Sequence, residues 1–379
     1  MRAMGCLITL LMMALLSTVP SLGDDLVECG VPTAVPHGWT VASQKIAGLR
    51  SDKLCALIEK LDASPLLNIH AVLVVRDGKL AFEHYRSGQD TSWGLPLGVI
   101  GHDIGTLHDV RSVTKSVVSI LFGIAIDQKI AGSVDKPVMD FFPDLADTIK
   151  GKNKILLRHL LTMSSGIAWD ESTPYSNPQN SETQMNHTIQ PFRYVLSQPM
   201  TSEPGKVWNY SGGSAAVIAE VVQRTSGKPI ENFAQEFLFK PLGIRDFQWV
   251  RTIGGTVAAA SGLRLRPRDM AKIGQMVLAG GEWKDRRIVS EEWIKESTMA
   301  HIPADEYQYG FGWWVASSVI DGRKLGWFEA YGNGAQRIII VPELKLVVVM
   351  TTGMYGSEAV FPATTELLEK FILPAALPE

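Results

Sequence analysis

Strand-forming patterns occupy the two ends of this chain and helical patterns its middle, which leaves few ways to fold. Residues 70–85 read as two strands around Asp77-Gly78, a dipeptide suited to the positive φ angles of a tight hairpin turn. A second such pair, Asp321-Gly322, separates runs 311–320 and 323–331, and β-branched runs 337–341 and 344–351 follow. From about 112 to 298 the apolar spacing is helical, over 113–128, 156–163, 213–225, 230–239, 267–278 and 290–297. The first and last segments must therefore pair in one antiparallel sheet flanked by helices, with a mostly helical insertion beside it. The expectation is an α+β protein: an α/β domain from 24–111 and 245–379, and a helical domain from 112–244. Ligand sites favour the seam between such lobes. Segment 170–191, rich in Ser, Thr, Asn, Gln and Pro, reads as a long loop that overhangs this seam.

Composition narrows the classes of partner. The chain has 379 residues, 46% hydrophobic and 20% charged, which suits a large packed core and not a disordered chain. With 36 Lys+Arg against 39 Asp+Glu, it lacks the positive field that attracts phosphate backbones, so no nucleic-acid partner is expected. Arg2, an apolar stretch over 6–16 and the small residues before Asp24 follow the grammar of a signal peptide, 1–23. That stretch is short of the roughly 20 residues needed to span a bilayer. The expectation is an exported protein, periplasmic or secreted in a bacterial setting, with no stable membrane span after cleavage. Cys29 and Cys55 would then meet an oxidising compartment and be free either to pair or to remain thiols.

Chemistry is most legible at Asp109-Val-Arg-Ser112-Val-Thr-Lys115, where a polar start leads into an almost wholly apolar helix. Ser112 stands at the helix start, where free backbone N–H groups favour developing negative charge. Lys115 projects from the same face a turn later. A neighbouring amine can take a hydroxyl's proton if burial or a nearby charge lowers its pKa from about 10.4. Ser-x-x-Lys alone is weak, and Ser133-Val-Asp-Lys136 fits it too, but that copy lies between Gly132 and Pro137 and belongs to a turn. The competing structural reading of the first copy is a serine cap and a solvated lysine.

Two further elements shift the balance. Trp208-Asn-Tyr210-Ser-Gly212 precedes a helix, so Tyr210 can aim its hydroxyl outward for proton transfer. Tyr331-Gly332-Asn333-Gly334-Ala335-Gln-Arg337 precedes a β-branched strand, and its glycines let backbone approach a ligand. The histidines, including His102, His108, His159 and His187, show no zinc-ligand spacing, and they read as structural or surface residues, with no metal or cofactor.

In this order and at these intervals, the motifs resemble those of the serine β-lactamase and penicillin-binding-protein family. The likeness is closest to its class C-like branch, with its esterases, D-amino-acid peptidases and 6-aminohexanoate-dimer hydrolases. It extends over His159-Leu-Leu-Thr-Met-Ser-Ser-Gly166, Lys240-Pro-Leu-Gly243, Ser261-Gly-Leu263 and Tyr309-Gly-Phe-Gly-Trp313. The resemblance implies the β-lactamase/transpeptidase-like fold and a serine hydrolase in which Ser112 is acylated while Lys115 and Tyr210 share the proton traffic. It also implies an oxyanion hole from the backbone N–H groups of Ser112 and Ala335. Gly332, Asn333, Gly334, Arg337, Trp169, Tyr175, Trp208 and Trp327 are the expected substrate-binding residues.

Two departures bear on substrate. Where β-lactamases of the family have Tyr-x-Asn, Gly212 removes the amide. Where they have Lys-Thr-Gly, the chain reads Gly332-Asn333-Gly334 and lacks the cation that would hold a β-lactam carboxylate. The expected substrate is therefore a small-molecule ester or amide. A D-amino-acid peptidase or weak β-lactamase is the alternative enzyme, and a non-catalytic binding or sensor protein of this fold the alternative from another class.

Overall fold

The structure, a computed structural model, describes residues 27–35, 38–145 and 151–378. The segment expected to be a signal peptide, 1–23, lies outside the described residues. Helix α1 (Ser51–Asp62) is followed by strands β1 (Ile69–Arg76) and β2 (Lys79–Tyr85), whose turn has φ 51° at Asp77 and 74° at Gly78. Strands β3 (Ser87–Ser92) and β4 (Leu95–Gly101) form a separate hairpin, and the short β5 (His108–Asp109) leads into α2 (Val113–Asp127). After several short helices come α3 (Gly212–Ser226), β6 (Gln248–Trp249), β7 (Leu263–Leu265) and α4 (Pro267–Leu278). Strands β8 (Ile302–Ala304), β9 (Tyr307–Tyr309), β10 (Trp314–Ile320), β11 (Arg323–Gly332), β12 (Gln336–Val341) and β13 (Leu346–Thr352), then α5 (Val360–Leu367), complete the chain order.

Among the described residues the main sheet has eight antiparallel strands in the order β8-β9-β10-β11-β12-β13-β1-β2. The chain's two ends meet at β13 and β1, with Val74 opposite Val348. Because side chains alternate across a strand, β1 and β13 bury both faces, which explains their unbroken apolar runs. Ala71, Leu73, Val75, Val347 and Val349 face one apolar cluster with α2 and α4. Val72, Val74, Val348 and Met350 face another with Leu57 of α1 and Leu367 of α5. Each fully buried Leu, Ile or Val contributes about 1.5–3 kcal/mol.

Helix α2 is the central strut. Every residue from Val113 to Ala125 is buried, so neither Lys115 nor the hydroxyls of Ser116 and Ser119 reach solvent. The β10–β11 hairpin turns at Asp321 and Gly322, with φ 50° and 78°, as the second Asp-Gly pair requires. The strands β8 and β9 were not legible in the sequence, because three-residue segments, one of them the edge strand with Pro303, carry too little pattern. Cys29 and Cys55 are joined in a disulfide.

Candidate active site

The turn before α2 aims Ser112 into the interior. Arg111 takes the left-handed conformation, φ 49°, and Ser112 then enters the helical region at φ −70°, ψ −5°. Its side chain makes no capping hydrogen bond. Instead the hydroxyl accepts from Lys115 Nζ at 2.9 Å, while that ammonium also donates to the carbonyl oxygen of Ala260 at 3.1 Å. Tyr210, at the entrance to α3, brings its phenol within hydrogen-bonding reach of both Ser112 and Lys115. Its ring centroid is 4.9 Å from Nζ. Three side chains from two helix starts, far apart in sequence, thus converge on one hydroxyl.

Two carboxyl groups that the sequence reading did not single out complete the cluster. Glu182 Oε2 lies 3.6 Å and Glu171 Oε1 3.9 Å from Lys115 Nζ, and both side chains are 2–3% exposed. Glu182 also accepts from the Ser261 hydroxyl. Glu171 accepts from the Trp169 indole at 2.6 Å, the Tyr175 phenol at 3.1 Å and the Gly212 amide. Segment 170–191, expected to overhang the seam, instead inserts these two carboxyls beneath Lys115. Burial alone would lower the pKa of Lys115, but its interactions with the Tyr210 phenol and with Glu182 and Glu171 outweigh it and the net shift is upward. The requirement of a lowered amine pKa is therefore not met: Lys115 is held as an ammonium. Burial and the adjacent Glu182 push Glu171 up to about 8, whereas Glu182, although buried, is lowered by Lys115 and its hydrogen bonds. One proton shared by the two carboxyls gives this arrangement, with Glu171 donating to Glu182. Burial also raises the Tyr210 phenol, against the pull of Lys115, so it stays neutral.

Gly212 explains how the pair fits. A Cβ at that position would stand 2.5 Å from Glu182 Oε2. Loss of a side chain in the second motif leaves the space that the carboxylate fills. Near the third motif, a Cβ on Gly332 would stand 2.9 Å from the Ser112 backbone nitrogen, so the end of β11 packs directly on the nucleophile's amide. Ala335 lies farther along, in the turn to β12, with φ 56° and its amide directed at the Tyr331 phenol. Asn333 accepts from the Gly356 amide at 2.7 Å, and the Gly334 carbonyl accepts from Gln336 at 3.1 Å, so this turn is anchored from behind.

The expected substrate-binding residues divide. Trp208 packs beside Tyr210, with ring centroids 6.2 Å apart, in a wall with Tyr309 and Trp314 that the sequence reading had not assembled. Trp169 and Tyr175 serve Glu171. Trp327 and Arg337 are corrections: both belong to the sheet face that carries the α1 and α5 cluster. Trp327 is packed into that cluster and donates to Ser318. Arg337 is fully buried, bonded to Glu329 at 2.7 Å and to Thr365 at 2.9 Å, and so cannot receive a substrate carboxylate. Strand alternation decides this, since Trp327, Glu329 and Tyr331 share a face and Tyr331 pairs with Arg337.

A family model described as Beta-lactamase matches residues 58–369. The 6-aminohexanoate-dimer hydrolase of Paenarthrobacter ureafaciens is 25% identical, over 74% of this chain and 71% of its own. Esterase EstB of Burkholderia gladioli is 24% identical over 47% of this chain and 46% of its own. Among solved structures, EstCE1, a hydrolase with promiscuous acyltransferase activity, superimposes with a TM-score of 0.68 at 15% identity, covering 88% of this chain and 99% of that one. A match across most of the chain, on a fold shared with such structures, means that this chain belongs to the beta-lactamase family and is a serine hydrolase of that family.

Proposed function

We propose that the protein hydrolyses a small carboxylic ester or linear amide through an acyl-enzyme on Ser112. The observation that carries this reading is the 2.9 Å contact from Lys115 Nζ to Ser112 Oγ, with the Tyr210 phenol on the same hydroxyl. Because Lys115 is charged and Tyr210 neutral, the proton path runs through the phenol. Tyr210 accepts the Ser112 proton as it gives its own to the leaving oxygen or nitrogen, so the Ser112 Oγ–carbonyl bond forms as the ester or amide bond breaks. The ammonium stabilises negative charge on the phenol oxygen during the exchange. Water then reverses the sequence and regenerates Ser112.

The carbonyl oxygen is received by the Ser112 amide and by the backbone after Gly332, at Asn333. The packing of Gly332 against the Ser112 nitrogen favours that stretch over Ala335, whose amide faces Tyr331. Losing one such donor costs about 3 kcal/mol in the transition state. Preference for an ester or linear amide over a β-lactam is supported by the missing amide at Gly212, the missing cation in Gly332-Asn333-Gly334 and the burial of Arg337. The relatives named Esterase EstB and 6-aminohexanoate-dimer hydrolase support this reading, while others carry the name of a D-alanyl-D-alanine carboxypeptidase, the alternative enzyme. Export is part of the proposal, and the Cys29–Cys55 disulfide, which persists in oxidising compartments, supports it. The test is a side-by-side turnover assay with p-nitrophenyl esters, a linear anilide, a D-Ala-D-Ala peptide and a chromogenic cephalosporin. The ester or anilide should be turned over fastest, and faster turnover of the cephalosporin or peptide would overturn the substrate assignment.

A further inference from the structure

A second buried polar cluster lies behind the nucleophile's turn and takes no part in the chemistry above. His70 of β1, Asp90 of β3, His108 of β5 and His102, just after β4, are each 9% exposed or less. His70 Nδ1 is 2.9 Å from His108 Nε2. Asp90 Oδ1 is 3.8 Å from His108 Nε2, and Asp90 Oδ2 is 3.8 Å from His102 Nε2. Ligand atoms of His70, Asp90 and His102 all lie within 4.8 Å of one another.

The hydrogen bonds around the cluster fix where its lone pairs point. Asn68 Nδ2 donates to the Gln89 carbonyl at 2.8 Å, so the Asn68 Oδ1 that faces His70 Nε2 at 3.2 Å can only accept. His70 therefore carries its hydrogen on Nε2 and presents a bare lone pair at Nδ1. His108 Nδ1 faces the Asp109 carbonyl at 3.0 Å, which likewise can only accept, so His108 Nε2 is bare too. Two nitrogen lone pairs thus meet at 2.9 Å. Asp90 Oδ1 accepts from the Thr91 amide and the Tyr355 phenol, which leaves Oδ2 open. His102 Nε2 is buried without a hydrogen-bond partner.

We propose that these four side chains, His70, Asp90, His102 and His108, bind a single divalent transition-metal ion of the zinc class. Imidazole and carboxylate donors suit that ion. In a tetrahedral zinc site with bonds of about 2.0–2.1 Å, ligand atoms lie about 3.3 Å apart. The His70–His108 contact, 2.9 Å, and that of the open Asp90 Oδ2 to His102 Nε2, 3.8 Å, straddle that distance, so the donors come together by small shifts. The His102 ring, stacked on His70 at 3.9 Å, must also turn to point its nitrogen at the ion. Asn68 and the Asp109 carbonyl act as outer partners that hold the ring tautomers. Four protein ligands and burial make the site closed and structural, not catalytic. The ion would tie β1 and β3 to β5, four residues before Ser112.

The experiment measures metal content, independent of substrate. Full-length protein expressed with Zn²⁺ should hold about one zinc per chain by plasma mass spectrometry. After chelation, Co²⁺ should give the intense visible bands of a tetrahedral site, and Zn²⁺ should raise the melting temperature. His102→Ala and His70→Ala should lose the zinc, while Ser112→Ala should retain it. No zinc or cobalt uptake by wild-type protein and no melting shift would overturn the proposal, as would full metal retention in both folded histidine variants. If His70→Ala does not fold, the wild-type chelation and cobalt measurements still decide it.

Discussion

Gly212 is where a single missing side chain reorganises the site. A Cβ there would meet the Glu182 carboxylate at 2.5 Å, so Gly212→Asn, which restores the amide of related β-lactamases, should expel Glu182 from beneath Lys115. Overpacking of this kind costs about 1–3 kcal/mol. The expected outcome is a lower unfolding midpoint and slower ester turnover, with the midpoint partly recovered in Gly212→Asn/Glu182→Ala. Unchanged stability in the single variant would show that the two groups do not compete. Glu171 gives a pH signature. Its carboxyl is raised to about 8 in the fold from the usual 4.5 of a free glutamate. Its stabilising contribution is therefore complete below the unfolded value and is lost as pH rises through about 8. Wild-type melting temperature should fall more steeply between pH 5 and 9 than that of Glu171→Gln, and parallel curves would contradict the shared proton. Ser112, Lys115 and Tyr210 could be picked out in the sequence because each stands at or just before the start of an apolar helical run. Glu171 and Glu182 could not, since a carboxyl in a polar, aperiodic segment looks the same whether it faces water or an ammonium.

At the scale of elements, α2 and the sheet were legible for the reason that makes them stable: continuous burial writes a continuous apolar pattern. Segment 170–191 misled for the converse reason, because its polar residues satisfy one another and the site. Asn180, for example, caps helix Ser181–Asn186 by accepting from Thr183 and donates to the Thr173 carbonyl. Strand parity is the other lesson. Trp327 and Arg337 flank the third motif in sequence, yet alternation sends them to the far face of the sheet. Arg337→Ala should accordingly cost about 3–5 kcal/mol, because it strands the Glu329 carboxylate in the interior. Chemical denaturation would measure that loss, and the KM for charged and neutral esters should move in parallel. A selective loss for anionic substrates would return Arg337 to the binding site. The histidine cluster was invisible to spacing because its members come from four separate segments joined only by the topology.

For the whole molecule, one sheet built from both chain ends makes the fold's closure depend on the pairing of β1 with β13, and α1 is further secured by the Cys29–Cys55 bond. Closing that loop of 26 residues contributes about 3.5 kcal/mol by chain entropy. Reduction should lower the denaturation midpoint by a corresponding amount, and an identical midpoint in reductant would show that the bond adds nothing to stability. Every catalytic role above rests on the reactivity of the Ser112 hydroxyl. Intact-protein mass spectrometry after brief exposure to a fluorophosphonate or an activated ester, with peptide mapping of the adduct, tests it most directly. One adduct per chain is expected on Ser112, absent in Ser112→Ala and formed slower by orders of magnitude in Lys115→Ala and Tyr210→Phe. An adduct that persists in Ser112→Ala, or equal rates in all three variants, would contradict it.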